Sequence, residues 1–566
     1  VQTCALPIWG GRLPCSVFGV TPHAKAYFAA AVARSIQRQV VCITNTEQAA
    51  REYAAAAGVL FPENEFSLRA AEAKGRDEEL VRVKIMKNAA AIKKPVFLSI
   101  RAFLGRVVPP EYFRKTCFEL IAGKSYNGEE LMKELAKNGY ERVGTVYSRG
   151  EFARRGEILD IYPPDSRMPL RITFFDDEIE SIRPFDSETQ RSVGKALEAY
   201  LVPPAREVVL GEREKEKLFV YLEAQDNRKL ADSIMADVEE YGNFENADTF
   251  LPVLFAPAYV KDYFPDALLL FDDFERIYGE SKRILTEFTD MAAALEAEKE
   301  AFPVQGESMG ELRNLIRTKT ADLIDMAGTK NAQLKTVSEV DMDMRGAIEY
   351  RGHVEQLAKD LLTRREHGYS VRMFAGGKAQ SLSAALAELD VIVPVEKEMT
   401  APLSISEDYV SYGFELPTGK LLVLGANDIY GRVRKTGVRK KRRRTEEDIF
   451  SDLSPGDFVV HEVHGKGKYL GLKTLDAGGV TAEYMEIEYR GGDKLYIPTA
   501  QIDRVQKYIG SEDAPPQLSK LGGREWETAK TKARESALKL AFDLVDLYAQ
   551  RFESKGHAFP KDTVWQ

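Results

Sequence analysis

Apolar residues change their spacing repeatedly along this chain, and a run alternating every second residue cannot share an element with one repeating at helical period. The first segment sets strands at 16–20, 40–44 and 96–100 beside an amphipathic helix at 24–34, the pattern of a parallel α/β domain. From about 141 to 185 the texture turns to short β runs cut by turn residues, a separate antiparallel-rich domain inserted after the first. A polar, helix-rich stretch continues to about 345 and carries one buried-type run, 267–271. Residues 346–430 return to α/β, with a helix near 354–364, a strand at 370–374 and strands near Val391 and Leu421. A β module at 454–508 and a helical pattern from Trp526 to about 552 follow. The shifts mark at least four units, and no repeat of solenoid length occurs.

The 566 residues are enough for about three to five domains, each burying its own core. With 44% hydrophobic and 30% charged residues the composition is that of a globular protein, and no apolar run approaches the ~20 residues of a membrane span. Cys4, Cys15, Cys42 and Cys117 form no CxxC pair, which suits a reducing cytoplasm and argues against a structural zinc. The opening VQTCALPIWGGRLP lacks an initiator Met and a signal-peptide pattern, and is expected to be a truncated or misassembled start. A net charge of −9 argues against a generally DNA-coating surface, yet 432–444 reads RVRKTGVRKKRRR. That run is either a solvated linker, or a linker that also touches phosphate backbones through Arg439, Lys440, Lys441, Arg442, Arg443 and Arg444.

Gly19-Val20-Thr21-Pro22-His23-Ala24-Lys25-Ala26 follows a strand and opens a helix, where a phosphate loop belongs, with the spacing of GxxxxGK[ST]. Ala24 replaces the glycine that lets backbone N–H groups close around phosphates, and Ala26 replaces the hydroxyl that would ligate magnesium. It is either an ordinary strand-turn-helix junction or a nucleotide fold that no longer uses nucleotide. Gly123-Lys124-Ser125 has Phe118 where the first glycine belongs and no expected strand before it, so it reads as coincidence. The run 267–271 ends in Asp272 and Asp273, an acid pair that would hold magnesium in an active ATPase but has no competent loop to face. Of six histidines only His461 and His464 are close, and the pair reads as surface or turn hydrogen bonding rather than a metal site. No constellation for nucleophilic catalysis stands out. The chain reads as a platform for partners.

Two short strands carry a side chain that does not suit its face. In 171–175, Ile172 and Phe174 share one side while Arg171, Thr173 and Phe175 share the other, which is either a docking patch or a second face covered within the domain. In 469–475, Leu470, Leu472 and Thr474 share one face and Tyr469, Gly471, Lys473 and Leu475 the other. With the first set in the core, Leu475 points outward beside the turn signal Asp476-Ala477-Gly478-Gly479. It is either one exposed leucine among many or a docking residue.

Three features coincide: the defunct phosphate loop, GEFARRGEILDIYP followed by FFDDEIESIRPFDSETQRS, and GDFVVHEVHGKGKYLG with DKLYIPTAQIDRVQKYIG. Together they resemble the bacterial transcription-repair coupling factor family (Mfd) over essentially the whole chain after the first dozen residues. The first part is also similar to the excision-repair protein UvrB, with LLLFDDF at the position of the UvrB acid box. The resemblance implies a multidomain α/β chain: a UvrB-like, degenerate RecA-type α/β domain with a β-rich insert, a further α/β domain, an SH3/Tudor-like (CarD-like) β barrel and C-terminal helices. The implied boundaries are 1–117 for the UvrB-like domain, 118–205 for the UvrA-binding insert, and 206–345 for a helical part returning to the first domain. They continue with 346–431 for an α/β domain of unassigned role, 432–448 for the basic linker, 449–522 for the RNA polymerase interaction domain and 523–566 for connector helices.

By the same resemblance Arg155, Arg171 and Phe175 fall on UvrA-binding positions, and Leu475, with Lys473 near it, on the position that grips the polymerase β subunit. The family's translocase motor, with ATP and Mg2+, and the C-terminal domain that covers its UvrA-binding surface are expected beyond Gln566. A chain of this extent is therefore expected to use no cofactor, to leave its enzymatic status open, and to display its UvrA-binding surface. The implied function is cytoplasmic, transcription-coupled nucleotide excision repair, tethering stalled RNA polymerase and UvrA with at most weak, non-specific DNA contact and no membrane. The alternatives are a UvrB-like nucleotide-binding or helicase-type enzyme with an unorthodox loop, and a CarD-like transcription regulator.

Overall fold

Strands filled with valine, leucine and phenylalanine, rather than alternating with polar residues, are stable only when both faces are covered. Such strands form the centre of a seven-stranded sheet in the order Ser338–Asp341, Cys15–Phe18, Leu323–Met326, Leu268–Phe271, Val40–Thr44, Val96–Ser99 and Val59–Leu60, every neighbouring pair parallel and the two edge strands less buried. Alternate side chains enter different cores: Val40, Cys42, Leu268 and Leu270 pack with the helix Lys25–Ile36, whereas Val41, Ile43, Leu269 and Phe271 join a larger cluster with the helix Phe274–Ala297. The expected parallel α/β domain is present. The computed structural model describes residues 13–64, 68, 76–187, 189–244, 246–317, 322–328, 334–431, 455–461, 464–477, 480–498, 505–507 and 517–520. It comprises two units, Val1–Ala70 with Lys74–Arg439, and Ala71–Ala73 with Lys440–Gln566.

Within the first unit the β-rich insert is a five-stranded sheet in the order Glu178–Pro184, Leu170–Phe175, Ile158–Ile161, Glu151–Arg155 and Glu141–Arg142, antiparallel except for the last pair. Leu170, Ile172 and Phe174 are buried, while Arg171 and Thr173 are half-buried and Phe175 is exposed, as the alternation predicts. A strand, Phe118–Ile121, does precede Gly123, contrary to expectation. It pairs antiparallel with Ala199–Val202, and Ser125 then bridges Glu178 instead of opening a helix, so no phosphate loop forms there.

One helix ties the insert to the parallel sheet. Arg76–Asn88 sends Leu80 into the insert's core and Val83, Ile85 and Met86 into the larger cluster. Its Arg82 donates to Glu207 at 2.7 Å with both side chains 2% exposed, and Lys87 reaches Asp165 at 2.5 Å over the Tyr200 ring. Tyr200 in turn donates to Asp165 at 2.7 Å.

Residues 346–430 form around a mixed sheet in the order Arg345–Gly346, Phe414–Leu416, Leu421–Leu424, Ser370–Phe374 and Leu403–Ser406, the last three parallel. The strand expected near Val391 is absent. Val391 and Val393 are buried, but the Val391 N–H is taken by the Leu386 carbonyl and Pro394 has no N–H for a ladder, so the third parallel strand falls at Leu403–Ser406.

The second unit contains a five-stranded antiparallel sheet in the order Lys494–Pro498, Val480–Glu488, Gly465–Ala477, Phe458–His461 and Val505–Lys507. Its core is Val459, Tyr469, Met485, Ile487, Tyr489, Leu495, Ile497 and Val505. Tyr469, expected to face outward, is 4% exposed, and Leu470, expected in the core, is only half-buried. A β-bulge between Tyr469 and Gly471 shifts the register, and Gly471 at φ +134° supplies a conformation other residues rarely adopt. Leu472 then pairs with buried Met485 but is 45% exposed.

Candidate functional site

Three places carry the residues that the sequence singles out. At the nucleotide loop, the strand Cys15–Phe18 ends at Gly19, whose positive φ turns the chain toward the helix carrying Lys25. Lys25 is ion-paired with Asp272, and Tyr53 donates to the other carboxylate oxygen at 3.0 Å. Burial, then the neighbouring Asp272 carboxylate, push the Tyr53 phenol upward, so it stays a proton donor. A Cβ at Gly19 would lie 2.6 Å from the Asp341 carboxylate, which places a negative group against the loop. Ala24 and Ala26 are buried, and Asp273 caps the helix Phe274–Ala297 by accepting from the Arg276 N–H at 3.3 Å. These residues do not fit Mg·ATP: the lysine is committed to a carboxylate, and a second carboxylate adjoins the loop.

In the insert, the register sets Asp160 opposite Arg171. Asp160 is fully buried and accepts from Arg171 Nε at 2.8 Å and Nη2 at 2.9 Å, a bidentate pair, and from Arg155 Nη2 at 2.9 Å. Arg171 also donates to the Gln190 carbonyl at 3.0 Å and lies over the Phe185 ring, and its hydrogen bonds to Asp160 hold its guanidinium pKa above the usual value. One carboxylate thus fixes two guanidiniums, and Phe175, four residues beyond Arg171 on the same strand, is 76% exposed. The structure brings Arg155, Arg171 and Phe175 to one sheet. Asp160 is the member that sequence reading missed, and an acid between Leu159 and Ile161 in a buried strand was its only signal.

In the β module, Lys473 is exposed and lies over the Tyr496 ring at 5.1 Å. Tyr496 donates to Glu486 at 3.0 Å, and Lys494 pairs with the same carboxylate at 2.9 Å. Leu475 pairs through its backbone with Ala482, while its side chain lies outside the described residues. The basic residues Arg439, Lys440, Lys441, Arg442, Arg443 and Arg444 and the helices expected after Trp526 also lie outside them. His461 and His464 are buried, not on the surface: the His464 N–H donates to His461 Nδ1 at 3.2 Å, and burial pushes His464 down to about 4. The turn hydrogen bond is the part of that expectation the structure shows.

Residues 118–207 match the UvrB interaction domain, and residues 453–509 match the CarD-like/TRCF RID domain. A transcription-repair-coupling factor from Bacillus subtilis is 30% identical over 97% of this chain and 49% of its own length. The chain resembles the transcription-repair-coupling factors. Proteins of the same name from Staphylococcus haemolyticus and Staphylococcus epidermidis are 29% and 28% identical, over 97% and 86% of this chain and 50% and 44% of their own lengths. The chain therefore spans about half the length of the coupling factors it matches. Among the described residues no helix is long and apolar enough to cross a membrane.

Proposed function

We propose that this chain is a two-site adaptor of transcription-coupled nucleotide excision repair, with the 453–509 module holding the RNA polymerase β subunit and the 118–207 domain recruiting UvrA. The observation that carries the reading is the exposed Phe175 on the same strand face as Arg171, which Asp160 fixes together with Arg155, since an exposed aromatic and fixed guanidiniums on one face are the composition of an interface hot spot. Pre-fixing the arginines on Asp160 lowers the ordering cost of binding and favours an acidic, partly apolar partner face. In the β module we assign the polymerase contact to Leu475 and Lys473 by resemblance to the family. Tethering two partners on one chain raises the local concentration of one near the other without chemistry. DNA contact is assigned to the 439–444 run and is weak and sequence-independent. ATP and Mg2+ belong, in this reading, to the full-length family protein.

The test is a paired capture assay with purified UvrA and polymerase β subunit. Arg171→Ala with Phe175→Ala weakens UvrA capture at least about tenfold and leaves polymerase capture intact. Leu475→Arg abolishes polymerase capture and leaves UvrA capture intact. Equal loss of both partners in either variant would sink the two-site reading.

A further inference from the structure

We propose that the degenerate nucleotide loop has become a docking seat for the chain's own 346–430 domain, whose role is to hold the loop closed. This inference is independent of the partner reading above. His23, inside the loop, stacks on Tyr412 with ring centroids 4.7 Å apart and 23° between planes. Tyr27, one turn into the following helix, meets Phe414 at 6.1 Å. Ala24, at the position where a phosphate loop needs glycine, is fully buried in a cluster with Phe414 and Val423, flanked by Val20, Tyr27 and Met344. The alanine that removes phosphate binding is thus an apolar contact of the seat.

The partner side is built to present these rings. The N–H groups of Gly413 and Gly425 both donate to Asp428 Oδ2, at 2.6 and 2.8 Å, and Asp428 is 2% exposed. A Cβ at Gly413 would lie 1.9 Å from the Val423 carbonyl, so glycine lets the segment lie tight against the neighbouring strand between Tyr412 and Phe414. Leu416 and Leu421 extend the contact into the core behind the helix Lys25–Ile36, where Val340 and Met344 also pack. With the ring of Tyr412 on His23 and Lys25 committed to Asp272, a nucleotide would have to displace a packed domain and break an ion pair.

Hydrogen exchange on the full chain tests the seat from both sides. Tyr412→Ala with Phe414→Ala should speed exchange at least about tenfold across both 21–28 and 412–424, leaving 151–184 in the insert unchanged. Ala24→Leu, which adds bulk to a filled site from the loop side, should release the same two segments together, while Tyr412→Phe, which keeps the ring, should release neither. Exchange that rises only in the segment carrying the substitution, that rises equally in 151–184, or that does not rise would overturn the proposal. A second arm restores the motif with Ala24→Gly and Ala26→Ser in the otherwise unaltered chain. No shift in melting temperature with millimolar Mg·ATP is expected, and a shift would show that docking does not exclude nucleotide.

Discussion

Lys25 meets a partly covered carboxylate and Arg171 a fully buried one, and the surroundings of the two pairs differ. At the loop, Asp272 holds Lys25 from one side and Tyr53 from another, and the neighbouring alanines are sealed from solvent. In the insert, Asp160 holds Arg171 and Arg155, but Arg155 remains half exposed, and Phe175 is exposed further along the Arg171 strand. Lys25 and Arg171 are about equally covered, at 16% and 18% exposure, and what the second carboxylate displays is Arg155, at 50%. A basic residue next to an acid is therefore no site in itself. What decides its use is how much of the paired group stays in solvent, as half of Arg155 does and most of Lys25 does not.

The largest way to break this comparison is Asp160→Ala, which leaves two guanidiniums without their shared partner. The insert should lose about 3 kcal/mol, read by pulse proteolysis, and UvrA capture should fall with it. Phe175→Ala, by contrast, should change stability by no more than about 0.5 kcal/mol while weakening capture, and comparable destabilisation would mean that Phe175 is structural. A buried group without a counter-charge sharpens the contrast next. Burial holds His464 near 4 against an ordinary 6.5, so the unfolded chain takes up the proton first and stability falls as pH drops from 6.5 toward 4. Between pH 7 and pH 5 the β module should lose about 2 kcal/mol by pulse proteolysis, and His464→Gln should flatten that dependence. Asp272→Ala should cost less, about 1 to 2 kcal/mol, because Lys25 retains some access to water; the check is a melting temperature lowered by a few degrees. Smallest is Lys473→Ala, with about 0.5 kcal/mol from its exposed contact with Tyr496 and an unchanged melting profile.

The contrast also marks where sequence reading succeeds. Ile172 and Phe174 alternate cleanly with Arg171 and Phe175 because that strand keeps a regular register from Leu170 to Thr173 across Ile158–Ile161, so a period of two carries its burial. The same count fails between Tyr469 and Gly471, where one bulge residue moves Tyr469 inward, and spacing alone does not show a bulge. Val391 looks like a strand residue because it is apolar and buried, yet burial does not require a ladder. Lys25 and Asp272 were each visible as halves of a broken nucleotide site. Their pairing with one another and Tyr412 against His23 are contacts between distant segments, and Asp160 meets its arginines only through strand register, none of which local patterns encode.

The helix Arg76–Asn88 has a mechanical consequence. Its Leu80 lies in the insert's core, its Val83 and Met86 lie in the larger core, and its Arg82 and Lys87 are pinned to Glu207 and Asp165. The insert is therefore joined to the parallel sheet's core through packed and ion-paired side chains of one helix. In the two-site reading proposed above, a partner pulling at Phe175 would load this helix, whose side chains lead into the larger core. On that reading the helix is the strut through which load on the insert reaches the rest of the chain.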